Sequence, residues 1–129
     1  MINSDFSMTI LYVNNVPKSA QFYQQILTAA PVELSPTFCL FVLENGLKLG
    51  LWSKYTVEPV LQQLDLVSSS EVLFTVSDKR MVDDLYQSWG MELEVTIVHQ
   101  PQQLDFGYAF VGLDIDGHRL RVCYLKSDE

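Results

Sequence analysis

Two stretches of this chain, TILYVNNVPKSAQFYQQIL (residues 9–27) and VLFTVSDKRMVDDLYQSWG (residues 72–90), follow one pattern. Val13 and Val76, Asn15 and Asp78, and Tyr23 and Tyr86 are each 63 residues apart (76−13, 78−15, 86−23). Such a repeat constrains the fold more than any single residue, because a unit that forms once should form twice. Each copy reads as an apolar strand, a polar cap and an amphipathic helix. In the first helix Val16, Ala20, Tyr23 and Leu27 share a face, and Pro17 suits the opening turn. In the second, Val82, Leu85 and Trp89 share a face, Ser77 or Asp78 caps the start and Gly90 marks the stop. A hairpin follows each helix. CLFVLENGLKLGLWS turns at Asn45-Gly46, and FGYAFVGLDIDGHRLRVCYL turns at residues 114–117. The expected fold is α+β: tandem βαβββ modules forming cupped mixed sheets with helices on the outer face. It makes one domain over residues 1–129, with module one at about 6–54, a linker at about 55–70 and module two at about 71–126.

The period of two along a strand then assigns faces. If Asn45-Gly46 is a two-residue turn, Phe41 pairs with Gly50 and Cys39 with Trp52, so Leu40, Val42, Leu49 and Leu51 face a helix. A four-residue turn in the second hairpin pairs Phe110 with Arg121 and Tyr108 with Cys123, and sends Ala109, Val111, Leu120 and Val122 to the helix side. The opposite face then carries Met8, Tyr12, Phe41, Trp52, Glu71, Tyr108, Phe110, Arg119 and Arg121, with Gly50 and Gly112 leaving gaps. Aromatics mixed with a few charges suit a pocket lining. A packed interface with a partner chain uses the same residue types, and both readings stand at this point.

Composition narrows the function. Forty-eight per cent hydrophobic residues supply a core, and no apolar run is long enough to span a membrane. MINSDFSMTI lacks the pattern of a signal peptide, so a cytoplasmic protein is expected. Cys39 and Cys123 lack metal-site spacing and are expected to be free thiols. Sixteen acidic residues against eight basic ones, a net charge of -8, argue against a nucleic-acid partner. His99 and His118 lie near strand ends and read as structural, and Trp89 reads as core.

LYVNNVPKSAQFYQQIL and DIDGHRLRV resemble the vicinal oxygen chelate superfamily of glyoxalases, bleomycin and fosfomycin resistance proteins and extradiol dioxygenases. Asn15 replaces the Asp, and Ile115 the Pro, of that superfamily's motifs. The resemblance covers essentially the whole chain. It implies metal-ligand positions at Met8, Gly50, Glu71 and Arg121, of which only Glu71 offers a suitable donor, so no metal or other cofactor is expected. Arg121 can act as a fixed cation for a ligand's carboxylate or simply bridge to Glu71, and Arg119 can be a solvated rim residue.

The likeness extends to phenazine antibiotic resistance proteins of this fold through L-Y-V-x-N-V-x-x-S-x-x-F-Y, a W-S pair after the first hairpin and D-G-H-x-x-R-V-C. It implies metal-independent sequestration of a small planar aromatic compound, stacked on Trp52, by a homodimer. The expected ligand contacts are Trp52, Arg121, Phe41, Tyr108, Phe110, Tyr12 and Glu71. The alternatives are lyase, isomerase or dioxygenase chemistry on the same scaffold with Glu71 as base, or a dimeric regulatory module without ligand.

Overall fold

The computed structural model describes residues 1–3, 5, 7–44, 46–65 and 69–125. The chain divides into two compact units, Met1–Leu66 and Val67–Glu129. The first unit holds β1 (Thr9–Val13), α1 (Val16–Leu27), β2 (Glu33–Leu34), β3 (Phe38–Val42) and β4 (Lys48–Ser53). The second holds β5 (Glu71–Thr75), α2 (Lys79–Gln87) with a π-helical extension at Ser88–Glu92, β6 (Thr96–Leu104), β7 (Gly107–Leu113) and β8 (Arg119–Leu125). The sheets have the same strand order, β1-β4-β3-β2 and β5-β8-β7-β6, with the first and last strands of each unit parallel. The sequence repeat is therefore a structural one, two βαβββ modules each with a helix on one face of its sheet.

Capping starts both helices. The Asn15 side chain accepts from the Lys18 amide at 3.0 Å, and Asp78 accepts from the Met81 amide at 2.9 Å. The ends differ. α1 stops at Thr28 in the left-handed region, while the second helix runs through Gly90 instead of stopping there. The Leu93 amide donates back to the Ser88 carbonyl at 3.0 Å in a widened turn, and the chain reverses at Glu94 with φ 56°. This extension keeps Trp89, 2% exposed, in the core against Phe110.

Both hairpins correct the expected register, and they do so in the same way. Asn45 lies outside the described residues, but the pairs around it are Phe41 with Leu49 and Val42 with Lys48, and the Leu43 amide donates to the Leu47 carbonyl at 2.9 Å. In the second hairpin Phe110 pairs with Val122 and Val111 with Arg121, and the Asp114 amide donates to the His118 carbonyl at 2.9 Å. Each loop is three residues long between its closing pair and ends on a glycine at positive φ, Gly46 at 92° and Gly117 at 90°. Glycine occupies that conformation without strain, which is why three-residue hairpins favour it there.

The shift moves β3 and β7 by one residue against their partners, and a one-residue shift reverses every side chain. Phe41 and Cys39 join Leu49 and Leu51 on the helix side, and Phe38, Leu40 and Val42 take the open side. Phe110 joins Val122 on the helix side, and Ala109 and Val111 move to the side of Cys123 and Arg121. β4 and β8 keep their expected faces. The first core gathers Val13, Val16, Tyr23, Phe41, Leu49 and Leu51; the second gathers Val82, Trp89, Phe110, Leu120 and Val122. His99, expected near a strand end, lies inside β6, an edge strand interrupted by register shifts and Pro101. Such irregularities blunt an edge against unwanted pairing.

Candidate functional site

On the open face of the first unit, β1, β4 and β3 place Tyr12, Trp52 and Phe38 side by side in one row. Trp52 meets Phe38 edge to face, ring centres 6.2 Å apart at 88°. That contact holds the indole by a favourable aromatic geometry. The next row is Ile10, Gly50 and Leu40. Gly50 leaves no gap: a methyl built there would lie 3.2 Å from the Phe38 ring and 3.3 Å from Ile10, so the glycine lets the edge of the phenyl ring approach the backbone closely. Tyr12 and Ile10 are each 38% exposed and Met8 is 41% exposed, an apolar surface on a strand whose other face is core. Exposed apolar side chains gathered on one face are the kind of surface on which binding sites form.

The equivalent face of the second unit is charged. Ile10 pairs with Gly50 and, 63 residues on, Leu73 pairs with Arg121, so Arg121 occupies in module two the position of Gly50 in module one. Glu71 and Arg121 form a two-point ion pair: Nε donates to Oε2 at 2.7 Å and one Nη donates to Oε1 at 3.1 Å. The guanidinium carbon lies 5.8 Å from the centre of the Phe106 ring, within cation–π range. Hydrogen bonding to Arg121 holds the Glu71 carboxyl below the usual carboxylate range, against a smaller opposing effect of burial, with Arg119 adding a further attraction. Arg119 stands exposed beside Glu71 in the β5–β8 ladder.

Three of the expected contacts lie elsewhere. Phe41 and Phe110 are fully buried on helix-covered faces, Phe41 near Tyr23 and Phe110 between Tyr86 and Trp89. Tyr108 donates its hydroxyl to Asp83 of α2 at 2.7 Å, under Lys79, and so belongs to the helix side as well. Gly112 admits Val95 and Trp89 to the core rather than opening a gap. Phe38, which the expected open face does not include, replaces Phe41 as the neighbour of Trp52. The signal that could have found it is the glycine ending both turns, which marks a three-residue loop.

The four positions implied for a divalent ion do not fit one. Gly50 has no donor and its space is filled, Met8 offers only a thioether, and both Glu71 oxygens are engaged by the fixed cation of Arg121. Among the described residues no three His, Cys, Asp or Glu side chains gather into a cluster that could hold a metal.

His118 has a structural task at the second turn. Asp114, 6% exposed, accepts from the Asp116 and His118 amides at 2.9 Å each, and its other oxygen lies 2.8 Å from the His118 ring nitrogen. That hydrogen bond lifts the His118 pKa above its ordinary 6.5, against an opposing effect of burial. A raised folded-state value means that the folded chain holds the proton more tightly than the unfolded one. The stabilisation is therefore complete below the unfolded value and lost as pH rises through the folded value. The melting difference between the parent and His118→Gln is expected to be larger at about pH 6 than at about pH 9. A difference that stays constant in thermal melts across that range contradicts the assignment.

Comparisons with known proteins agree with this architecture. Over 121 residues the chain is 29% identical to the phenazine antibiotic resistance protein EhpR of Enterobacter agglomerans, a match that spans 92% of this chain and 91% of that one. The solution structure of protein ATC0852 from Agrobacterium tumefaciens is 43% identical over 98% of this chain and 100% of that chain, with a TM-score of 0.80. The crystal structure of a glyoxalase/bleomycin resistance protein/dioxygenase family enzyme from Burkholderia phytofirmans shares the fold at 20% identity, with a TM-score of 0.81 over 93% of this chain and 98% of that one. No protein-family model matches the chain.

Proposed function

We propose that the chain, which is similar in fold to glyoxalase/bleomycin resistance/dioxygenase proteins, binds a small planar aromatic compound without a metal and sequesters it. The observation that carries this reading is the row Tyr12, Trp52 and Phe38 on an open apolar face, with the indole braced at its edge. A flat ring system stacked on Trp52 buries apolar area and adds an aromatic contact. The likeness to a phenazine resistance protein over most of both chains supports a tricyclic aromatic, and with it a role in antibiotic resistance by binding. An enzymatic role of the kind found in metal-dependent relatives would need donors that Met8, Gly50 and Arg121 do not supply.

Fluorescence titration with phenazine-1-carboxylate tests the reading. Trp89 is 2% exposed and Trp52 is only partly buried, so quenching is expected to come from Trp52 and to vanish in Trp52→Phe. Quenching that survives in Trp52→Phe, or no quenching at micromolar probe, counts against the proposal. Cys39 and Cys123 are both free and buried, in keeping with a cytoplasmic setting, and no helix among the described residues is long and apolar enough to cross a membrane.

We extend the proposal to a homodimer. β1 and β5 each have a partner on one side only, and two-fold pairing is the commonest way to cover such surfaces. Sedimentation velocity at micromolar concentration is expected to give a two-chain species with and without probe; a single-chain species in both conditions rejects it.

A further inference from the structure

Resting on the aromatic-binding reading, we propose that Gly50 is a positioning residue of the aromatic row. It leaves the space into which the Phe38 ring folds, and the ring in that place fixes the indole of Trp52. Ile10, Phe38, Gly50 and Trp52 all belong to the first unit. Nothing in the backbone asks for a glycine at this position. Gly46 and Gly117 sit at positive φ, where glycine is favoured, and a methyl on Gly107 would run into the Tyr124 carbonyl oxygen. Gly50 has no positive φ and lies in unbroken ladders with β1 and β3. The three atoms nearest a methyl built on it belong to side chains: two of the Phe38 ring at 3.2 and 3.3 Å, and one of Ile10 at 3.3 Å.

Phe38 pairs with Trp52, whereas Gly50 pairs with Leu40. The far edge of the phenyl ring, Cε1 and Cζ, therefore reaches out of its own row into the row of Gly50. In that pose it stands at 88° to the indole with ring centres 6.2 Å apart, a favoured aromatic geometry. A side chain at position 50 would occupy the same space and push the ring away. The half-buried indole would then lose its brace, and a ligand stacking on it would have to order it on arrival. A glycine here thus serves a ligand platform that is rigid before anything binds.

A cycle of substitutions tests this coupling. Phenazine-1-carboxylate is titrated by calorimetry into the parent protein, Gly50→Val, Gly50→Ala, Phe38→Ala and the double variant of Gly50→Val with Phe38→Ala. Circular dichroism melts establish folding. Gly50→Val is expected to weaken the probe about three- to tenfold, the effect of one freed side chain. Gly50→Ala is expected to weaken it less, because its methyl displaces the ring less, and it takes the valine's place in the cycle if that variant does not fold. The double variant is expected to bind no worse than Phe38→Ala alone, since no ring is left to displace. In the ligand-free proteins the near-ultraviolet dichroism of Trp52, read as the difference from the matching Trp52→Phe protein, should weaken in Gly50→Val as it does in Phe38→Ala. Folded Gly50 variants that bind like the parent, or that lose the same factor with and without Phe38, overturn the proposal while the aromatic reading survives. A parent protein that binds no probe removes that reading, and this inference with it.

Discussion

Phe110→Ala is expected to destabilise the fold by about 3–5 kcal/mol and to leave probe affinity in the folded protein unchanged. Phe110 has no solvent exposure, and its ring meets Trp89 at 5.2 Å and Tyr86 at 5.6 Å between centres, both edge to face. With the Tyr108–Asp83 hydrogen bond, it is one of the contacts through which the second helix and its extension rest on β7. Truncation removes the apolar transfer term, two aromatic contacts and the wall of a space that Trp89 and Val122 cannot readily close. For a chain of this length the loss is a large share of the total stability. Urea unfolding followed by circular dichroism measures it as a lower midpoint at similar slope. A loss below about 1 kcal/mol combined with a large drop in probe affinity would put Phe110 back on the open face and reverse the β7 register.

That register is where the sequence was least informative, and the reason is specific. β4 reads KLGLWS and β8 reads RLRVCYL, so polar or glycine positions alternate with aliphatic ones and identify the helix side. β3 reads FCLFV and β7 reads GYAFVGL, apolar at both parities. A strand with two apolar faces carries no parity signal, and its orientation is set by the number of residues in the turn. Counting two residues at the first turn and four at the second, where each loop has three, displaced both strands by one. With three-residue loops Phe41, Tyr108 and Phe110 fall on the helix side, and Phe38 takes the open side. The module repeat, both helix caps and the faces of Tyr12, Trp52, Glu71 and Arg121 rested on stronger signals: a fixed 63-residue offset, capping residues and alternation. The bidentate geometry of Glu71 with Arg121 was one of two options left open by the residues. Only the side-by-side placement of β5 and β8 decides it.

Trp52→Ala is expected to reduce affinity for phenazine-1-carboxylate about 30- to 150-fold, equivalent to about 2–3 kcal/mol. Two contributions add up to this figure. Stacking on an indole exceeds its area burial by about 0.5–1.5 kcal/mol, and the apolar area that the ring covers accounts for the remainder. Phe38 makes the first contribution larger than it would be on a mobile side chain, because an indole already held edge to face gives up little freedom when the ligand arrives. Phe38→Ala should therefore weaken the probe as well, by less than Trp52→Ala, whereas Phe41→Ala should lower stability without changing affinity. Calorimetric titration of the three variants, with melts for each, separates a braced stacking platform from a general hydrophobic surface. On a general surface the loss would follow the area removed, so Phe38→Ala and Trp52→Ala would fall in proportion to ring size. If Trp52→Ala binds as tightly as the parent, the aromatic row on β1, β4 and β3 is not where the probe sits.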